Sequence, residues 1–127
     1  MPVNEKPRLL YLQNKIIPMV LQSFPFQLMD WSSKAKEEHV GITGIAYWQV
    51  FLMNDIRIRM VEYSAGYLAD HWCNKGHIIY CITGDMETEL QDGRKYILTS
   101  GMTYQVGDNN ETHRTSTKDG CRLFIVD

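Results

Sequence analysis

His71, Cys73 and His77 fall close together in the run Gly66-Tyr67-Leu68-Ala69-Asp70-His71-Trp72-Cys73-Asn74-Lys75-Gly76-His77. Two imidazoles and a thiol at this spacing point to metal chemistry, because imidazole nitrogen and thiolate sulfur suit borderline divalent ions such as zinc and iron. On an extended strand, side chains two apart share a face, so His71 and Cys73 would point one way and Trp72 the other. Lys75-Gly76 permits a change of direction before His77 opens an apolar run. Each residue also has a plainer reading. A histidine taken alone is more often a surface or hydrogen-bonded residue than a ligand, and a buried free cysteine behaves as a small apolar side chain.

The elements that must position these residues read as β-structure. Ile45 to Asn54 is rich in aromatic and β-branched residues, and Asp55 to Tyr63 alternates apolar with charged side chains at period two. Asp85 to Leu90 alternates again, Asp92-Gly93 supplies a hairpin turn, and Arg94 to Leu98 returns. Gly101 starts a further strand through Val106, Asn109-Asn110 marks a loop, and Lys118-Asp119-Gly120 turns the chain into Cys121 to Val126. Ser32 to Glu38 is expected to form at most a turn or two of polar helix. Short strands separated by turn chemistry predict an all-β sandwich or barrel.

The chain has 127 residues, 44% of them hydrophobic and 22% charged, which suits one globular domain with a real core. Its net charge of -2 comes from 13 basic and 15 acidic side chains without a basic cluster, so nucleic acid is not an expected partner. Three cysteines without scaffold spacing read as reduced, and a cytoplasmic location is the simplest expectation. The apolar stretch at Leu9 to Leu12 and Ile16-Ile17 is broken by Gln13, Asn14 and Lys15 and followed by Pro18, which fits neither a signal peptide nor a membrane span. Residues 1–23 read as an N-terminal arm or extension and residues 24–127 as the domain proper. Such an arm would pack on its own domain or on a second subunit, or simply fray.

The run from Gly66 through His71, Cys73 and His77 to Gly84 resembles the first metal-binding motif of the cupins. Cys73 stands where that family has its second histidine, and His77 where it has a glutamate. The second motif is similar to Gly101 to His113, with Gly107 at the proline position, Asn109 at the glycine position and His113 one residue late. Asp70-His71-Trp72-Cys73, with Tyr63 to Tyr67 before it and Leu123 to Asp127 at the end, looks like the cupin subgroup named for an Asp-His-Cys-Trp (DHCW) signature, its last two letters exchanged. The resemblance covers about Phe24 to Asp127. It implies a single-domain jelly-roll barrel in which His71, Cys73, His77 and His113 converge on a divalent metal ion, zinc or iron, and a homodimer formed through sheet edges.

Tyr104 and Glu62 are the candidate catalytic acid or base groups, and Asp70 is a candidate to orient His71. On the strand around residues 56–62, Ile56, Ile58 and Met60 suit a core, which would turn Arg57 and Arg59 outward; an inward arginine would instead recognise a carboxylate. His39 reads as solvated, and Cys81 and Cys121 as core. Three functions fit these residues. The first is a metal-dependent enzyme of dioxygenase, isomerase or lyase type acting on a small molecule. The second is a closed, non-catalytic metal site that stabilises a binding domain or senses oxidants through the thiolate. The third is a metal-free domain that binds an organic ligand.

Overall fold

The computed structural model describes residues 20–127. The expected arm therefore lies outside the described residues, apart from its final stretch from Val20. Eight strands follow: β1 Glu37–Val40, β2 Ile45–Met53, β3 Ile56–Tyr63, β4 His77–Leu90, β5 Lys95–Thr99, β6 Thr103–Val106, β7 His113–Ser116 and β8 Cys121–Val126. All pair antiparallel in the order β1-β2-β3-β8-β4-β5, with β6 and β7 also on β4. This is the all-β jelly roll expected. A 3-10 turn at Trp31–Ser33, capped by the Asp30 side chain on Ser32 N, replaces the polar helix expected from Ser32 onward. Glu37 and Glu38 belong instead to an edge strand paired with β2.

The turns carry the local chemistry that the sequence announces. Asn54 takes a positive φ of 54° between Met53 and Ile56, a conformation asparagine tolerates in two-residue hairpins. Gly93 at φ 97° closes the β4–β5 hairpin. Strand β4 is the corner of the barrel. It shifts register between Cys81 and Thr83, so its first half pairs with β6, its second half with β5 and β7, and β8 spans the bend. Gly84, at φ 78°, sits at that bend against Gly120 O, where a Cβ has no room.

Between the sheets lie Val61, Ile79, Cys81, Met86, Leu98, Cys121, Leu123 and Ile125. Large buried side chains of this kind contribute about 1.5–3 kcal/mol each, which is the main attraction holding the layers together. Cys81 and Cys121 are buried and free, as expected for core thiols. Burial pushes the Cys121 thiol up to about 12.

Strand β3 reverses the expected parity. Val61, Arg59 and Arg57 face the barrel interior, while Ile58, Met60 and Glu62 share the opposite face. The inward arginines are tolerated because Asp127 and Trp48 meet them there, as set out below. Among the described residues no helix is long and apolar enough to cross a membrane.

Candidate metal centre

Cys73, His77 and His113 come together with their ligand atoms all within 4.8 Å of one another. Each arrives from a different element. His77 is the first residue of β4, His113 the first of β7, and Cys73 lies in the loop between β3 and β4. That loop is not a strand, so the shared-face reading of His71 and Cys73 does not apply to it. Cys73 is pinned instead by two backbone hydrogen bonds with His113, Cys73 N to His113 O at 2.7 Å and His113 N to Cys73 O at 3.0 Å. The His71 ring turns to Asp70, with Nδ1 2.6 Å from the carboxylate, and its side chain is 74% exposed. The structure thus brings three of the four expected ligands together and places His71 among the surface residues lining the cavity beside them.

Both ring orientations follow from acceptors at Nδ1. His113 Nδ1 lies 2.8 Å from the Glu111 carbonyl oxygen, which can only accept, so this nitrogen carries the proton. His77 Nδ1 lies 3.4 Å from a carboxylate oxygen of Asp127, which favours the same tautomer. In neutral rings the lone pairs then sit on the two Nε2 atoms, which face each other at 2.8 Å. Two acceptors at that distance repel unless a proton or a cation lies between them. The two imidazoles and the Cys73 thiol could hold a divalent ion, and they are ligand types that zinc and iron accept.

The surrounding charge favours a thiolate. The Cys73 thiol is held below its ordinary pKa by His113 beside it, with help from the Lys75 backbone N–H at 3.3 Å and from the charge of Arg59, against the opposing effect of burial. The same contact raises His113. Iodoacetamide is therefore expected to modify the metal-free protein at Cys73 and to reach Cys81 and Cys121 only after unfolding. Peptide mass spectrometry reads this directly, and even labelling of all three thiols would contradict it.

Asp127 supports His77 from behind. Its carboxylate, wholly buried, accepts from Arg57 Nε at 2.8 Å, Arg57 Nη2 at 3.1 Å and Arg59 Nη2 at 2.8 Å. Burial pushes this carboxyl upward, but the hydrogen bonds of His77 and Arg57 and the charge of Arg59 outweigh it and hold it well below the usual carboxylate range. Both guanidiniums also lie over the Trp48 ring, at 4.4 Å for Arg59 and 5.4 Å for Arg57. His39, expected to be solvated, stacks on Trp48 at 3.8 Å. Asp127, Arg57, Arg59 and Trp48, with the three candidate ligands, line a cavity of about 130 Å³ inside the barrel.

Tyr104 also lines the cavity, with its ring 6.0 Å from that of His77 and 6.2 Å from that of His113. Its hydroxyl is buried near the Thr88 side chain, and burial raises its pKa, so it stays protonated. Glu62 lies outside the cavity, half exposed and 3.8 Å from Lys36 Nζ. Sequence reasoning overlooked Asp127 and Trp48 as members of the site. For the arginines the period-two pattern carried a signal, but it left open which face of the strand is inside.

No protein-family model matches the sequence, and no curated protein matches it. Solved structures do match the fold. A protein described as a predicted oxalate decarboxylase from Thermotoga maritima aligns with a TM-score of 0.66 at 14% identity, covering 79% of this chain and 96% of that one. Ectoine synthase from P. lautus aligns at 0.64 and 21% identity, covering 80% and 76%. A third structure, from Shewanella frigidimarina, aligns at 0.64 and 16% identity, covering 80% and 89%, and is described as an RmlC-like cupin. The fold is therefore that of the cupins. The narrower Asp-His-Cys-Trp likeness rests on residues 70–73 with 63–67 and 123–127 alone.

Proposed function

We propose that this cupin-fold protein binds one divalent metal ion through Cys73, His77 and His113 and acts as an enzyme on a small molecule. The observation that carries the reading is the donor set itself: three ligand atoms converge, and among the described residues no fourth protein ligand joins them. Three protein ligands leave a coordination position open, as catalytic sites require, whereas structural zinc takes four. A closed site would need His71 to leave Asp70 and turn inward.

A bound zinc or iron would polarise a substrate oxygen or activate a water in the open position. The chain's own residues do the rest. Glu111 O and Asp127 hold the two imidazoles with Nε2 inward. Tyr104, whose side chain lines the cavity and is protonated, can donate a hydrogen bond or a proton from Oη to a substrate there. Cys73 supplies a negative charge that balances part of the ion's. Neighbours named ectoine synthase and predicted oxalate decarboxylase support small-molecule chemistry on this fold. Dioxygenase, isomerase and lyase reactions all suit such a centre. A reducing compartment such as the cytoplasm fits a half-buried free Cys73 that serves as ligand.

Elemental analysis of protein purified without chelator is expected to find one divalent ion per chain. Azide added to the cobalt-loaded protein is expected to shift its visible spectrum by entering the open position. Bound metal that ignores azide would favour the closed, structural or redox-sensing site, and a chain that takes up no metal would remove both readings.

A further inference from the structure

We propose that the cavity holds a short carboxylic acid, with its carboxylate seated on Arg59 and the Trp48 indole N–H. The Arg59 and Trp48 side chains line the same cavity, and among the described residues Arg59 Nε and Trp48 Nε1 are buried and have no hydrogen-bond partner. The Arg59 side chain is only 7% exposed, so water does not stand in freely for the missing acceptor. Buried donors of this kind are costly to leave unmade, and an acceptor placed between them removes the cost. Both atoms can only donate, so the occupant must present acceptor oxygens to both.

Charge decides which acceptor. Among the described residues two guanidiniums, Arg57 and Arg59, share a single carboxylate, that of Asp127, and the Cys73 thiolate is the other negative group nearby, one that a bound cation would neutralise. A divalent ion on that thiolate would leave positive charge in excess. An anion is favoured over a neutral amide, and a planar carboxylate matches the guanidinium fork better than a point charge does. Size sets the limit: about 130 Å³ admits an acid of a few non-hydrogen atoms.

The remaining lining places the acid's other end. Tyr104, His77 and His113 border the same cavity, so a hydroxyl or carbonyl next to the carboxylate would face the metal centre. Only that second contact rests on the metal reading; the carboxylate seat is made by Arg59 and Trp48 alone.

Isothermal titration calorimetry on the full chain tests this, with chelator-treated and zinc-loaded protein titrated with glycolate, acetate, acetamide and inorganic phosphate. Glycolate and acetate are expected to bind both forms, zinc to strengthen glycolate more than acetate, and acetamide to bind at least tenfold more weakly. Trp48→Phe removes the N–H while keeping the ring under the guanidiniums, and Arg59→Lys keeps the charge while losing the fork; each is expected to weaken acetate about tenfold. The proposal falls if acetamide matches acetate, if only phosphate binds, if millimolar carboxylate gives no heat in either form, or if folded Trp48→Phe and Arg59→Lys bind acetate like wild type. Metal content measured on the same samples separates the two readings. Acetate bound without zinc uptake leaves the seat and removes the metal centre, and zinc bound without acetate does the reverse.

Discussion

Cobalt bound to the wild-type protein is expected to show an intense thiolate-to-metal absorption band, and Cys73→Ser to lose that band together with most of its metal affinity. Loss of an outer hydrogen-bond partner typically weakens a metal site about 10–100-fold, and removing one of three direct ligands should exceed the upper end of that range. The effect should be confined to the site. Cys73 is only partly buried and its backbone bonds to His113 do not involve the thiol, so the metal-free variant should melt close to wild type. An unchanged band, or stoichiometric metal at wild-type affinity in Cys73→Ser, would take the sulfur off the ion and leave His77 and His113 to hold it with some other group.

Asp127→Ala is expected to be the most destabilising single change in the site. Among the described residues it removes the only carboxylate that accepts from both Arg57 and Arg59, and so takes the direct counter-charge from a nearly buried guanidinium. Breaking a buried pair by deleting one partner costs about 3–5 kcal/mol. The same substitution frees the His77 ring, so metal affinity should fall about 10–100-fold as well. Urea denaturation of metal-free protein reads the first effect and metal titration the second. Adding Arg59→Met to Asp127→Ala should recover part of the stability, because the uncompensated charge is then gone. A loss below about 1 kcal/mol in the single variant would show that water reaches the arginines and replaces the carboxylate.

The contrast between Cys73 and His71 shows how far residue spacing reaches. Ligand types and motif spacing pointed to both, and His77 and His113 were legible in the same way. The loop that carries His71 and Cys73, however, is not part of a strand, and alternation is a rule for strands. Cys73 is held in place by reciprocal backbone bonds to a residue forty positions on, and His71 by an adjacent carboxylate. Asp70 is a local clue to the fate of His71, whereas the partner that fixes Cys73 is remote in sequence.

Strand β3 makes the same point about parity. Period two separates Arg57, Arg59 and Val61 from Ile58, Met60 and Glu62 without saying which set faces inward. A rule based on hydrophobicity alone turns the arginines out. The choice depends on Asp127, separated from Arg57 by 70 residues, and on Trp48 across the neighbouring strand. Their combined attraction offsets the cost of desolvating two guanidiniums.

What the sequence determined by itself was the set of local choices: strand periodicity, the Asp92-Gly93 and Lys118-Gly120 turns, the thiols Cys81 and Cys121 in the core, and a supply of imidazole and thiolate ligands. These depend on neighbours a few residues away, and backbone sterics and side-chain spacing settle them. Tertiary structure alone decided which three candidate ligands meet, that both arginines face inward, and that Asp127 stands behind His77. Those outcomes turn on charges and lone pairs brought within a few ångströms from distant parts of the chain, and electrostatic energy at that range depends on distance and burial rather than on sequence separation.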